Sequence, residues 1–518
     1  SDFFITFTVE EGSRYRFGKL DVVSDVPDLD LDYLQTLLKG GPGDTFDASV
    51  VEDTVLDLTF ELGRFGYAFV DIHPRLVRDR ETGTIDIHYE IAEGPRVYVE
   101  RINITGNVRT LDKVIRREFR IAEGDAFNAA KVQRSVHRVR SLGYFDRVDI
   151  SRESVERVGA AELAPIGDVA DDRINLNMDV RERSTGDLVF GVGYSTVDAF
   201  VTDVALSERN LLGRGQDLSL SFTLASRRQQ FDVSYTEPYF LGRNVSAGID
   251  VFTVRDDLQT LSSYTENSRG FGLRTGFPVT ENLKASLRYS LRQDVIEDVG
   301  ITASTFVKQQ EGARVVSTIG YSFFYDVRDD VHFPTEGYSL RFGQELAGLG
   351  GSVKYLRTNA NAQVHFPVLH DDWIGSFTFE EGFIHGLGDS VSISDRFFVG
   401  GNDFRGFAQS GIGPRDALTN DALGGKIYYI ITAQVAFPVG LPKDLGVRGS
   451  VFTDVGSVGR LGFNSADVQA TGNPRVSSGF GLAWLSPLGP LRFDWAWPLR
   501  KETFDREETF RFSFGTRF

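Results

Sequence analysis

The chain ends in the stretch Phe510-Arg-Phe-Ser-Phe-Gly-Thr-Arg-Phe518, in which aromatic and polar residues alternate. A period of two indicates a β-strand with an aromatic face and a polar face. A chain that ends inside a strand leaves an exposed edge unless that strand pairs with another. Because an aromatic outer face suits lipid, the stretch predicts the last strand of a closed membrane barrel that pairs with the first.

Length and composition support this prediction. A chain of 518 residues is too long to fold around a single soluble hydrophobic core, so two or more domains are expected. The chain lacks a stretch of roughly 20 apolar residues, which excludes a helical membrane protein. The 54 Gly, 42 Phe and 17 Tyr are typical of barrel strands and aromatic girdles, and the net charge of −17 argues against nucleic acid as a partner. Since no signal peptide precedes Ser1, we interpret the chain as mature or trimmed.

The N-terminal part of the chain contains a repeat. The strand-closing segments Val9-Glu-Glu-Gly12 and Ile91-Ala-Glu-Gly94 lie 82 residues apart, which indicates stacked supersecondary units. Within a unit, a strand such as Val97–Ile104 precedes two helices, and Asn128 is the predicted N-cap of one of them. Each unit is predicted to be an α+β fold of order β-α-α-β-β. The predicted units are residues 13–94 and 95–184, with residues 1–12 as the last strand of a truncated unit.

From residue 185 to residue 518, helical periodicity gives way to alternation. In Leu283–Arg292, for example, Leu, Ala and Tyr alternate with Lys, Ser and Arg, which fits a lipid face and a wet lumen. At roughly 20 residues per strand and turn, the region predicts about sixteen antiparallel strands. A soluble β-sandwich also alternates, but the uniformly aromatic apolar face favours the barrel.

A barrel preceded by such repeats resembles the outer-membrane protein assembly factor family typified by BamA, whose periplasmic repeats are called POTRA domains. The resemblance covers the whole chain. It includes Glu237-Pro-Tyr-Phe240, Phe452-Thr-Asp-Val-Gly456 and, most specifically, Phe397-Phe-Val-Gly-Gly-Asn-Asp-Phe-Arg-Gly-Phe407. That last segment is similar to the family's inward-folded lid loop, which would span about residues 386–426. The resemblance implies a barrel in the bacterial outer membrane with its POTRA domains in the periplasm.

The lid motif consists of Gly400, Gly401, Phe404, Arg405, Gly406 and Phe407. Its glycines permit tight bends and a close approach to a wall. A phosphate-binding loop is excluded, because the motif has no Gly-Lys-Ser/Thr and no βαβ context. Arg405 in an exposed loop is one interpretation. The family resemblance implies instead that Arg405 enters the lumen and pairs with a wall carboxylate, for which Asp454 is the candidate.

The first and last barrel strands, expected at Asp187–Thr196 and Phe510–Phe518, would meet at a lateral seam. An unpaired strand in hydrocarbon leaves its backbone groups unsatisfied, so a barrel that folds there needs a template edge. Glycine weakens a strand interior, and at Gly515 the resemblance implies a kink. The predicted seam residues are Leu188, Phe190, Gly191, Val192, Gly193, Phe512, Ser513, Phe514, Gly515 and Phe518.

The expected function is therefore assembly and insertion of outer-membrane β-proteins through this seam, with POTRA edges delivering substrate by β-augmentation. The resemblance implies unfolded outer-membrane proteins, accessory outer-membrane lipoproteins on the last POTRA unit, periplasmic chaperones and the lipid bilayer as partners. Neither an enzyme nor a cofactor is expected, because the seven His are scattered and Cys is absent. The alternatives are a related autotransporter-assembly factor, a two-partner secretion pore that exports a polypeptide through its lumen, and a passive porin.

Overall fold

The computed structural model of the chain divides into two compact units, residues 1–185 with 212–214 and residues 186–211 with 215–518. The described residues are 15–26, 29–64, 67, 70–80, 82–93, 97–154, 173–196, 199–331, 333–368, 372–388, 390–442, 445–463, 465–486 and 489–514. The predicted strand at residues 1–12 and the seam residues Gly515 and Phe518 lie outside them.

The first POTRA-like repeat has the predicted β-α-α-β-β order. Its elements are β1 (Arg16–Ser24), α1 (Leu31–Gln35), α2 (Ala48–Arg64), β2 (Val70–Asp79) and β3 (Thr84–Glu93). The sheet order is β1-β3-β2, with β1 parallel and β2 antiparallel to β3. Apolar residues at helical spacing on α2, including Leu58 and Leu62, pack against Ile87 and Tyr89 of the sheet. This core leaves β2 at an edge of the sheet.

The second repeat has the same order and topology. Its elements are β4 (Tyr98–Thr105), α3 (Asp112–Arg116), α4 (Ala129–Ser141), β5 (Phe145–Ser154) and β6 (Arg173–Glu182), with sheet order β4-β6-β5. The Asn128 side-chain oxygen accepts the Lys131 amide at 2.9 Å and so caps α4. The repeats thus confirm the predicted α+β fold. None of the helices in the described part of the chain is long and apolar enough to cross a membrane.

The second unit is a closed barrel of sixteen strands, as the sequence predicts, and each strand is antiparallel to its neighbours. The barrel strands are β7 (Gly186–Ser195), β8 (Ala199–Glu208), β9 (Asp217–Ala225), β10 (Arg228–Glu237), β11 (Ser246–Asp257), β12 (Thr265–Pro278), β13 (Leu283–Glu297), β14 (Gly312–Asp326), β15 (Gly337–Ala347), β16 (Tyr355–Pro367), β17 (Ile374–Gly386), β20 (Ile427–Pro438), β21 (Val447–Gly459), β23 (Arg475–Ser486), β24 (Gly489–Arg500) and β26 (Phe510–Phe514). The barrel closes where β26 pairs with β7.

Short elements lie in the loops between barrel strands. They are α5 (Gln259–Ser262), α6 (Thr305–Lys308), β18 (Gly406–Phe407), β19 (Arg415–Asp416), β22 (Val468–Gln469) and β25 (Glu507–Glu508). β18 pairs with β25, and β19 pairs with β22. The long segment between β17 and β20 is therefore tied to loops that follow it in the chain.

Side chains alternate between the two faces of the barrel wall. On β13, Leu287 is half exposed on the outside, whereas Asp294 is buried within. On β21, Val451 is exposed and Asp454 is buried. Apolar side chains that point outward suit lipid, and the inward positions are free to carry charge. The alternation thus presents charged groups of the wall to the loops folded into the lumen.

Candidate functional site

The tip of the lid loop needs glycine at three positions. Gly400, Gly401 and Gly406 have φ values of +138°, +73° and +87°. A Cβ atom at Gly400 would lie 2.1 Å from the Ala408 carbonyl oxygen, and one at Gly406 would lie 3.0 Å from Ser477 Cβ. A side chain would therefore meet both backbone strain and a steric clash. The glycines let the loop turn sharply against the wall.

Arg405 forms a bidentate ion pair with Asp454 of β21. The guanidinium donates from Nε to Oδ2 at 2.9 Å and from Nη2 to Oδ1 at 2.7 Å, and the Arg405 backbone amide donates to Oδ2 at 3.2 Å. The side chains are 6% and 1% exposed. Bidentate geometry of this kind is the strongest arrangement of an arginine with a carboxylate.

Side chains of the barrel wall form further hydrogen bonds with both members of this ion pair. Arg405 Nη1 donates to Gln434 Oε1 at 2.9 Å, and Thr432 Oγ1 donates to Asp454 Oδ1 at 2.9 Å. The guanidinium carbon lies 3.3 Å from the ring centroid of Phe452, which adds a cation–π contact. A buried ion pair is tolerated only when such further bonds offset its desolvation. The lid tip is thus bound tightly to β20 and β21.

Phe404 and Phe407 complete the lid tip. Both side chains are fully buried, and their rings make an edge-to-face contact with centroids 5.4 Å apart. They pack with Val399, Ile412, Ile430 and Val458 in one apolar cluster. The tip therefore combines a charged anchor with an apolar one.

A second polar anchor holds the base of the lid. Asp395 Oδ1 accepts Arg292 Nη2 of β13 at 2.7 Å, and the Asp395 carbonyl accepts Arg357 Nη2 of β16 at 2.5 Å. Sequence reasoning missed Asp395, because Arg292 is 103 residues away and no local motif joins them. The sequence offers one signal for this contact: Arg292 places a positive charge on the inward face of β13, where it needs a carboxylate as its partner.

The loop between β24 and β26 is a third partner of the lid. Gly406 and Phe407 of β18 lie opposite Glu508 and Glu507 of β25. The same loop is held to the wall by Arg475, whose Nε and Nη2 donate to the buried Asp505 carboxylate at 2.9 and 3.0 Å. These residues were outside the predicted site, yet they connect the lid motif to the segment that leads into the last strand.

The seam brings the first and last barrel strands together. Ser513 and Phe514 of β26 lie opposite Ser195 and Tyr194 of β7, and the Thr196 amide donates to the Phe512 carbonyl at 3.1 Å. Of the predicted seam residues on β7, Leu188, Phe190 and Val192 are exposed on the outer face, Gly191 is buried and Gly193 is half-buried. The first strand begins at Gly186 and ends at Ser195, one residue earlier than predicted at each end.

Within the described residues, no group of three or more His, Cys, Asp and Glu is placed to hold a metal ion. Some buried charged groups of the lumen pair with an opposite charge, as Arg405 does with Asp454, and others bond to the backbone, as Arg396 does to the Val391 and Leu423 carbonyls. The arrangement of the site holds the lid loop against the wall and joins it to the loop before the last strand.

Comparison with known proteins identifies the family. The Omp85 superfamily domain model matches residues 210–518, and the POTRA model, described as a surface antigen variable number repeat, matches residues 15–94 and 97–183. The outer membrane protein assembly factor BamA of Neorickettsia risticii (strain Illinois) is 32% identical over 515 residues, which are 99% of this chain and 68% of that protein. The chain belongs to the BamA family of the Omp85 superfamily.

Other members of the BamA family agree with this assignment. BamA of Neisseria meningitidis serogroup B is 30% identical and also covers 99% of this chain and 68% of its own length. The crystal structure of BamA from Haemophilus ducreyi lacking POTRA domains 1–3 superposes with a TM-score of 0.76 at 25% identity, covering 97% of this chain and all of that one. The resemblance inferred from the motifs is confirmed. The barrel lies in the outer membrane and the POTRA domains in the periplasm.

Proposed function

We propose that the chain folds and inserts outer-membrane β-barrel proteins through a lateral seam between β7 and β26. Membership of a family whose relatives are named outer membrane protein assembly factors supports the general role. The observation that carries the seam is that the last barrel strand, β26, and the first, β7, pair directly with each other to close the ring.

The energetics of a lipid environment favour such a seam as the working edge. Each unpaired backbone group in hydrocarbon costs several kcal/mol, so a new strand gains most by adding to an edge that is already ordered. Parting β7 from β26 exposes such an edge and leaves the other fifteen strand pairings of the ring in place. No motif of the sequence implies a nucleotide or an ion gradient, so the proposed driving force is the folding of the substrate itself.

The POTRA edges are proposed to deliver the substrate. β2 is an edge strand, and its Leu76 and Val77 side chains are 49% and 43% exposed. An extended chain could add to this edge through backbone hydrogen bonds and gain specificity from these side chains. The partners proposed with it are accessory outer-membrane lipoproteins on the last POTRA unit and periplasmic chaperones.

A disulfide across the seam tests this function. Since Thr196 and Phe512 are a hydrogen-bonded pair, Ser195 and Ser513 form the adjacent non-hydrogen-bonded pair, where Cα atoms lie about 4.5 Å apart and a disulfide is feasible. The chain has no native Cys, so Ser195→Cys with Ser513→Cys gives one possible intramolecular bond. We expect oxidation in membranes to stop insertion of a newly made porin, and reduction to restore it.

The single variants Ser195→Cys and Ser513→Cys control for the substitutions and should insert porin with or without oxidant. If the oxidised double variant inserts porin at the native rate, the seam is not the gate. The competing function, a secretion pore, predicts that result together with a higher ion conductance when the lid is displaced.

A further inference from the structure

Glu508 lies where the lid loop, the first barrel strand and the last barrel strand meet. It belongs to β25, in the loop between β24 and the last strand, and its backbone lies opposite Gly406 of the lid motif. Its side chain is 22% exposed, whereas that of its neighbour Glu507 is 42% exposed and pairs with Lys501. Adjacent residues of one short strand thus face different surroundings.

The carboxylate of Glu508 joins the first strand to the last. Oε1 accepts the Thr196 hydroxyl, directly after β7, at 3.1 Å. Oε2 accepts Nη2 of Arg511 on β26. One side chain therefore bonds to both sides of the seam, at the end where β7 finishes and β26 begins.

Arg511 carries the connection onward to the lid. Its Nη1 donates to Asn402 Oδ1 at 2.9 Å, and its side chain is 7% exposed. The guanidinium also packs on Gly401, where an added Cβ would lie 3.1 Å from Nη1. A continuous chain of contacts thus runs from Thr196 through Glu508 and Arg511 to Asn402.

The last loop, between β24 and β26, is also hydrogen-bonded to the lid through its backbone. The Ala408 amide donates to the Arg506 carbonyl, and the Arg506 amide donates to the Gly411 carbonyl, each at 2.9 Å. By contrast, the Thr196 hydroxyl reaches Glu508 from across the closure between β7 and β26. When the seam parts, the last loop and lid would therefore stay together and the first strand would leave.

We propose that Glu508 is a positioning residue that couples the lid loop to the first barrel strand, so that displacement of the lid tip releases the seam. This inference rests on the proposed seam function. It assigns to the carboxylate the task of holding the end of the seam near Thr196 shut while the lid is seated. Thr196, Arg511 and Asn402 are the groups through which it acts.

The test measures the closure of the seam directly. In the Ser195→Cys/Ser513→Cys chain, reconstituted in lipid vesicles, the rate of disulfide formation after addition of oxidant reports how often the two strands are in register. Glu508→Gln keeps the shape of the side chain and removes its charge. We expect the disulfide to form about tenfold more slowly in this variant, because a tenfold change corresponds to the loss of about one hydrogen bond to a charged group. Glu507→Gln is the matched control and should leave the rate unchanged.

Coupling to the lid is tested with Asn402→Ala. This variant should also slow the disulfide, and in the Glu508→Gln background it should add little, because the two residues act in one chain of contacts. Unchanged heat-dependent mobility of the barrel on SDS gels separates positioning from loss of fold. Equal rates for Glu508→Gln and Glu507→Gln would overturn the proposal, as would full additivity of Glu508→Gln and Asn402→Ala.

Failure of the seam function gives a different signature. If the locked disulfide still permits porin insertion, the seam is not the gate, whatever the rate at which the disulfide forms. If the lock blocks insertion and Glu508→Gln leaves the disulfide rate unchanged, the gate stands and the role of Glu508 is wrong.

Discussion

Asp329 shows how one side chain can organise a turn of the barrel. It lies between β14 and β15, and its carboxylate accepts the Thr335 hydroxyl, the Glu336 amide at 3.1 Å and the Thr335 amide at 2.9 Å. These hydrogen bonds, the one from the Thr335 side chain first, hold the pKa of Asp329 well below its usual range. The charged form is therefore the one that stabilises the turn.

The pH dependence of the turn follows from this lowered pKa. A lowered pKa in the folded state contributes stability above the ordinary aspartate pKa, about 4, and that contribution is lost as the pH falls toward the folded value. We expect the amides of Thr335 and Glu336 to be protected from hydrogen exchange at neutral pH and to lose protection below about pH 4. Asp329→Asn should lower their protection at neutral pH. Native-like protection in this variant would contradict the assignment, and the amides of β14 serve as the reference.

The lid loop, as an element, depends on its anchor in the wall. Asp454→Asn would leave the Arg405 guanidinium buried without its counter-charge, and removing one partner of such a pair costs about 3–5 kcal/mol. We expect the variant to raise hydrogen exchange across residues 400–407 and to lower the temperature at which the barrel unfolds on SDS gels. Asp467→Asn removes an exposed carboxylate from a neighbouring loop and should change neither measurement. Equal behaviour of the two variants would show that the ion pair does not hold the lid.

At the scale of the whole molecule, the two units are stabilised in different ways. The POTRA repeats bury apolar side chains from water, a contribution that urea weakens. The barrel pairs its backbone groups in a closed ring surrounded by lipid, where urea has little access. We therefore expect the POTRA repeats to unfold at lower urea concentration than the barrel.

The distribution of Trp makes this expectation measurable in the full chain. The four Trp, at positions 373, 484, 495 and 497, all lie in the barrel. The helices with more than five residues, α2 and α4, lie in the POTRA repeats of the described chain. In lipid vesicles, the helical circular dichroism should be lost before the Trp fluorescence changes. Coincident transitions would mean that the units unfold together.

The sequence by itself determined the fold class and the membrane in which the chain resides. A period of two with aromatic residues on one face and charges on the other suits a barrel wall, and the 82-residue repeat indicates stacked units. These are local patterns, so the chain displays them without reference to distant residues. The motif around Arg405 likewise marked the family and named Asp454 as a candidate partner.

Only the tertiary structure decided which distant residues meet. Arg292 and Asp395 are 103 residues apart, Thr196 and Glu508 are 312 apart, and Ser195 faces Ser513 across the closure. Alternation determines the face of a residue, but the register of one strand on the next depends on turns and on the stagger of the closed barrel. A shift of one residue in that stagger would move every such partner to the other face. The contacts between lid, last loop and seam therefore exist only once the barrel is closed.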